Sequence, residues 1–285
     1  MGAKMRDDEA GVVLINVLVI LALTASVVYA MVSLSELSIA RSQRFSAAGQ
    51  AQALIGAGEA SAITALRRDM IDAGQSDHLG EAWAQIGQTP VPIEGGTFAL
   101  RIEDAQAQFN LNSLPGSGAL GLQILQRLVV ALDLTPDVTA RIAARMAQPA
   151  PLERLSDLVA EAGLTPDEVA LLAGLVTVLP GSTPVNINTA PQDLLAALTD
   201  NPVQARQLGS MRDRAGFLTP ADVAAAQVIL PPGVGYASRL YWVTVTVQVD
   251  QTTQSLRSLL QRRAGTGGQP SVVVIERDRA LAAVF

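Results

Sequence analysis

Residues 12–32 read VVLINVLVILALTASVVYAMV, with Asn16, Thr24 and Ser26 as the only clearly polar interruptions, and no charged residue occurs from Ala10 to Ser35. Twenty-one residues at about 1.5 Å each give about 31 Å of helix, the thickness of a bilayer's hydrocarbon core. The run therefore reads as a transmembrane helix. A secretory signal peptide has a shorter apolar region, about 7–15 residues, ending at a small-residue cleavage site. Ala30-Met31-Val32-Ser33 does not match such a site. Lys4 and Arg6 precede the run while Arg41 and Arg44 follow it, so the charge bias does not set its orientation.

Outward from this run, 285 residues allow one elaborate domain or two small ones. The absence of cysteine excludes disulfide frameworks, thiolate zinc sites, iron–sulfur clusters and cysteine nucleophiles. The single histidine, His78, sits in the polar stretch Gly74–Gly80 and reads as a solvated loop residue without a catalytic partner. Serines and aspartates are scattered, so no enzymatic constellation emerges. A net charge of −6 argues against phosphate-backbone binding as the main role.

Leu54, Ile55, Ala62, Ile63, Leu66 and Met70 keep one helical face apolar, and alanine dominates between them. The spacing predicts that the first helix continues to about Asp72, with Gly74 in its C-terminal cap region. Gly49, Gly56 and Gly58 read as kinks or close packing points. Residues 97–103 alternate Phe98, Leu100 and Ile102 with Thr97, Arg101 and Glu103, the pattern of a half-buried strand. Residues 240–249, 255–263 and 271–277 are three more strand candidates, the last two separated by a turn or loop at 265–270. One helix, one strand, a long helical stretch and three strands imply an α+β fold: a long N-terminal helix on a small antiparallel sheet, carrying an all-helical insertion. The expected organisation is a membrane helix at 12–32, an α+β domain from 33–108 and 233–285, and an inserted helical domain at 109–232.

The insertion is punctuated by helix starts. Gly116, Gly118 and Gly121 precede a helix expected at 123–132, and Thr135-Pro136-Asp137, Thr165-Pro166-Asp167-Glu168 and Thr219-Pro220-Ala221-Asp222 each place proline after a threonine cap. Two asparagine motifs stand out, Phe109-Asn110-Leu111-Asn112-Ser113-Leu114 and Val185-Asn186-Ile187-Asn188-Thr189-Ala190-Pro191. Asn110, Asn112, Asn186, Asn188 and Thr189 read as structural caps of helix starts. The second motif also resembles the helix–hairpin–helix (SAM-like) repeats of membrane-anchored DNA-uptake proteins, which supplies an alternative function. There, a glycine-rich hairpin holds a DNA phosphate. Here that place is Leu198-Thr199-Asp200-Asn201-Pro202-Val203, without glycine, although Arg206, Arg212, Arg214, Gly216-Phe217 and Ala221-Asp222-Val223 still fit the repeat.

The polar leader MGAKMRDDEA ends in Gly11 directly before the apolar run. This junction resembles that of type IV pilins and the pseudopilins of type II secretion systems. The resemblance implies cleavage by a prepilin peptidase after Gly11, N-methylation at Val12, a leader (1–11) in the cytoplasm and the main domain in the periplasm, anchored in the bacterial inner membrane. Val12, Leu14, Asn16, Leu18 and Val32 then belong to the membrane helix. The fifth mature residue is usually glutamate in that family, and here it is Asn16. With the inserted helical stretch and the paired asparagine motifs, this combination is similar to the K-type minor pseudopilins, the general secretion pathway protein K family. The resemblance implies a non-enzymatic subunit at the pseudopilus tip. Its partners would be the I- and J-type minor pseudopilins, other pseudopilins and the secretion system's inner-membrane platform, with the membrane contacted and nucleic acid not. It implies no cofactor beyond calcium in the insertion of some members. The Ala144–Gln148 stretch, where many carry acidic residues, offers few hard oxygen ligands.

Overall fold

The computed structural model describes residues 7–72, 76–87 and 89–278. Leader residues 1–6 and Gly74 lie outside them.

The first helix, α1, runs Asp7–Asp72 over 66 residues, about 99 Å at the standard rise. It has two surroundings. From Val13 through Arg44 nearly every side chain is exposed, whereas from Ala47 onward one face (Ala47, Ala51, Ile55, Ala62, Leu66) is buried. After a single-turn helix α2 (Ala82–Gln85) come strands β1 (Val91–Ile93) and β2 (Gly96–Asp104). The chain leaves the sheet through a 3₁₀ turn at Ala105–Ala107.

The middle region contains β3 (Phe109–Asn110), α3 (Leu114–Ala131), α4 (Asp137–Met146), α5 (Asp157–Glu161), α6 (Pro166–Leu172) and β4 (Val176–Thr177). It continues with β5 (Val185–Asn186), α7 (Gln192–Thr199), α8 (Pro202–Ala215), α9 (Pro220–Ala225) and β6 (Val234–Gly235). The chain then returns to the sheet as β7 (Leu240–Val249), β8 (Thr252–Ala264) and β9 (Pro270–Asp278). The five long-sheet strands lie in the order β1-β2-β7-β8-β9, all antiparallel.

The alternation in β7 explains how helix and sheet meet. Tyr241, Val243, Val245, Val247 and Val249 are buried and pack with the α1 stripe. Alanine on the helix lets the backbone approach closely. At Gly58 a β-carbon would stand 2.8 Å from Val245 Cγ1 and 3.0 Å from Phe98 Cζ, so glycine is required there. Gly49 and Gly56 have no such neighbour.

The middle region buries a second, separate apolar core, from Phe109 to Val228. It is not all-helical as the sequence suggests. Two two-residue parallel pairs, β3 with β4 and β5 with β6, close its two halves. Such short strands carry no periodicity and leave no sequence signal. The first helix also starts nine residues earlier than the expected 123, at Leu114, because it bends at Gly118 (φ 57°, ψ −144°) rather than beginning after the glycines. Two Thr-Pro starts form full capping boxes, Thr165 with Glu168 and Thr219 with Asp222. β1 is an edge strand the sequence did not announce; Pro92 conceals it, and an edge position tolerates proline.

Candidate functional site

The described residues contain one helix long and apolar enough to cross a membrane, and none of its apolar window is buried by the rest of the chain. Leu14, Asn16 and Leu18 project from this exposed segment, and Val32 lies near its upper end. Gly11 and Val12 fall within the backbone span of α1. Above the apolar run the helix remains uncovered through Phe45, which is 84% exposed. The apolar window and the stretch above it up to Phe45 are thus left uncovered by the rest of the described residues.

At the opposite end, a buried polar seam forms where the middle region leaves and rejoins the sheet. Asp104, the last residue of β2, accepts hydrogen bonds from Thr189 Oγ1 (2.5 Å), Ser238 Oγ (2.7 Å), Asn186 Nδ2 (3.0 Å) and the Gln106 N–H (2.8 Å). These donors come from the outgoing connection, the second asparagine motif and the return into β7. All four are neutral, so burial dominates and pushes the Asp104 carboxyl above its ordinary range. Beside it, Asn186 Nδ2 also donates to the Asp77 carbonyl (2.9 Å), and the Ser238 N–H donates to Asp77 Oδ2 (2.6 Å).

Arg262 of β8 completes the seam. Its guanidinium bonds to Asp77 and to Asp69 of α1 (2.5 Å) and stacks on the Tyr241 ring at 4.3 Å. Burial raises Asp69 against the pull of Arg262, while Tyr241 is pushed well up by its own burial. Asp69, Asp77 and Glu81 lie close enough together to suggest a metal site, but Arg262 already supplies the cation to two of them. One cationic side chain thus ties the long helix, the loop after it and the sheet. A further tie is His78, whose ring stacks on Phe217 at 4.6 Å.

The two asparagine motifs share one geometry. In each, the first asparagine's Oδ1 accepts the N–H of the second: Asn110 from Asn112 (3.1 Å), Asn186 from Asn188 (3.0 Å). The second asparagine does not cap a helix. Its amide clamps both backbone groups of a distant leucine, Asn112 on Leu152 (3.0 and 2.9 Å) and Asn188 on Leu218 (2.7 and 3.1 Å). Thr189 is likewise committed to Asp104 rather than to a helix start, and α7 begins after Pro191 with no side-chain cap. The middle region is therefore two related units, each a short strand, a helical pair, a clamped leucine, further helix (α5 and α6 in the first, α9 in the second) and a returning parallel strand. The motif spacing announced the asparagines; their partners, thirty and forty residues away in sequence, left no local signal.

Two residues of the alternative reading, Arg212 and Asp200, are engaged elsewhere. Arg212 Nη1 donates to the carbonyls of Ile187 (2.8 Å) and Ala190 (2.7 Å), bracing α8 against the second motif. Asp200, in left-handed conformation (φ 54°), occupies the turn between α7 and α8 and pairs with Arg127 at 2.8 Å. A carboxylate at that turn repels a phosphate. The Ala144–Gln148 stretch does not fit a calcium site either. Arg145 there is buried, pairs with Glu161 and donates to the Ala150 carbonyl (3.0 Å), placing a fixed cation among the available oxygens.

Comparison with known proteins agrees with this architecture. A family profile described as type II secretion system (T2SS), protein K, matches residues 185–237, the span from the second asparagine motif to the return toward β7. Type II secretion system protein K of Pseudomonas aeruginosa is 29% identical, over 96% of this chain and 94% of that protein. Protein K of Klebsiella pneumoniae is also 29% identical, over 93% of this chain and 96% of its own length. In fold, the chain is similar to one from the crystal structure of the GspK-GspI-GspJ complex of the enterotoxigenic Escherichia coli type 2 secretion system. The TM-score is 0.64 at 21% identity, covering 84% of this chain and 99% of that one. With relatives matched from end to end and the second motif inside the matched profile, the chain is similar over nearly its whole length to type II secretion system protein K.

Proposed function

We propose that this chain is a K-type minor pseudopilin that stands at the tip of the type II secretion pseudopilus, anchored in the inner membrane before assembly, and that it starts assembly by gathering I- and J-type minor pseudopilins. The observation that carries this reading is the match to a chain crystallised in complex with GspI and GspJ, which extends over most of both chains. The exposed α1 surface supports it, since a helix uncovered from Val13 to Phe45 offers contact to neighbouring helices and lipid. So does Asn16. A carboxylate inside a bilayer is costly without a partner, and a subunit with nothing stacked above it has no amine to pair with one. Processing after Gly11 would leave Val12 as the N-terminus, with the leader cytoplasmic and the sheet and middle region periplasmic.

Mass spectrometry of the chain co-expressed with a prepilin peptidase tests the processing: the expected product starts at Val12, and retention of Met1 or cleavage near Ser33 contradicts the reading. Co-purification with I- and J-type subunits tests the assembly role. A processed chain that fails to associate with either contradicts that part alone.

A further inference from the structure

The sheet has a second face, opposite α1. There the register sets Arg101 of β2 and Arg257 of β8 on either side of Thr244 in one cross-strand row, and Glu103 and Leu259 on either side of Trp242 in the next. Two strand spacings separate the arginines, about 10 Å. The Arg257 guanidinium lies over the Trp242 ring at 4.1 Å. Among the described residues it forms no ion pair, although Asp278 stands across from it on β9. Arg101 pairs with Glu103 at 2.9 Å in an exposed setting.

The middle region forms the facing wall. Gly174 and Pro191 close a cleft of about 660 Å³ over the arginine row. Trp242 and Arg257 also line an adjoining lobe of about 250 Å³, edged by Glu153, Glu276 and Asp278 with Arg154 as its other cation. The trough thus has one end where Arg257 and the Glu103-paired Arg101 face the cleft, with the buried Asp104 also in its lining, and an acid-rich end, with an indole between them.

We propose that this trough binds an extended peptide segment of another protein, one carrying an acidic residue and, a few residues along, a basic one. A guanidinium stacked on an indole keeps its N–H edge free to hold a carboxylate. The indole supplies apolar contact at low entropic cost, and the three carboxylates of the second lobe favour a cation there. The opposite charges at the two ends favour a peptide over a small anion, which would use the first lobe only.

Panning a phage-displayed library of random dodecapeptides on the full-length chain in detergent tests this. Enriched peptides are expected to share an acid and a base in fixed order. Arg257→Ala, at an exposed position, is expected to lower their retention about tenfold, and Glu276→Lys with Asp278→Lys to exchange the basic preference for an acidic one. Circular dichroism verifies that the variants are folded. Equal retention on the Arg257→Ala chain, or no enriched pattern, overturns the proposal. Enrichment of the acid alone, unaffected by the lysine pair, reduces the site to an anion pocket and overturns it as well.

Discussion

Glu59 and Asp104 are both buried acids whose surroundings move them in opposite directions. Glu59, on the sheet-facing side of α1, accepts from Arg277 Nη2 (2.7 Å), Arg277 Nε (2.9 Å) and Ser258 Oγ (2.6 Å). The Arg277 bonds, working against burial, hold its carboxyl below the ordinary 4.5. A lowered folded value contributes stability that is complete above the unfolded value and is lost as pH falls through the folded one. Glu59→Gln should therefore cost about 1 kcal/mol near neutrality, a figure kept small because Arg277 is more than half exposed. Denaturant titrations at pH 7 and pH 3 check it: the gap between variant and parent should close at the lower pH. Asp104 has the other sign. Its raised value means that its contribution is present at low pH and declines as pH rises through the folded value. Asp104→Ala leaves Thr189, Ser238 and Asn186 without their shared acceptor and should cost about 2–3 kcal/mol at pH 3 and less at pH 7 in the same titrations. Neither acid is conspicuous in the sequence, because their side-chain partners lie between about 80 and 220 positions away, as Asn186 and Arg277 do.

Among elements, the legible features were those with a local cause. The apolar run, the α1 stripe at Ile55, Ala62 and Leu66, the valine alternation of β7 and the Thr-Pro helix starts each declare themselves within a few residues. The two-residue strands and the clamps on Leu152 and Leu218 do not, since each joins segments that sequence periodicity treats separately. Two predictions belong here. Asn188 is almost wholly buried and Asn112 is only partly so. Asn188→Ala should thus cost about 2–3 kcal/mol and Asn112→Ala about 1–2 kcal/mol, because a buried unpaired backbone group loses more than one that water can reach. Amide exchange at Leu218 and Leu152 separates the cases: each variant should speed exchange at its own leucine and leave the other unchanged. At the helix–sheet contact, Gly58→Val forces a branched side chain against Val245 and Phe98. It should destabilise by about 2 kcal/mol despite valine's better helix propensity, and Gly56→Val, with open space around it, should not.

For the whole molecule, two large apolar cores bridged only by a small cluster, in which Leu179 meets Leu240 and Leu259, would ordinarily let sheet and middle region behave as two bodies joined by two linkers. The seam removes that freedom. Both linkers pass through it: Asp104 and Gln106 on the way out, Ser238 on the way back, with Gln106 Oε1 accepting the Arg239 N–H at 2.7 Å. Any swing of the middle region would strip Asp104 of Thr189 and Asn186 and break the Asn186 bond to the Asp77 carbonyl. Groups of this kind are costly to leave buried and unpaired, so the two cores should melt together. Calorimetry of the full chain in detergent is expected to show one transition. Replacing Ser238 and Asn186 together by alanine removes two of Asp104's donors and the link to the Asp77 carbonyl while leaving both cores intact, and it should split that transition in two. Two transitions in the unaltered chain would mean that the seam does not couple the cores. A single transition in the double variant would assign the coupling to the packing of Leu179 on Leu240 and Leu259 and to the His78–Phe217 stack, which Leu179→Ala with Phe217→Ala would then have to uncouple.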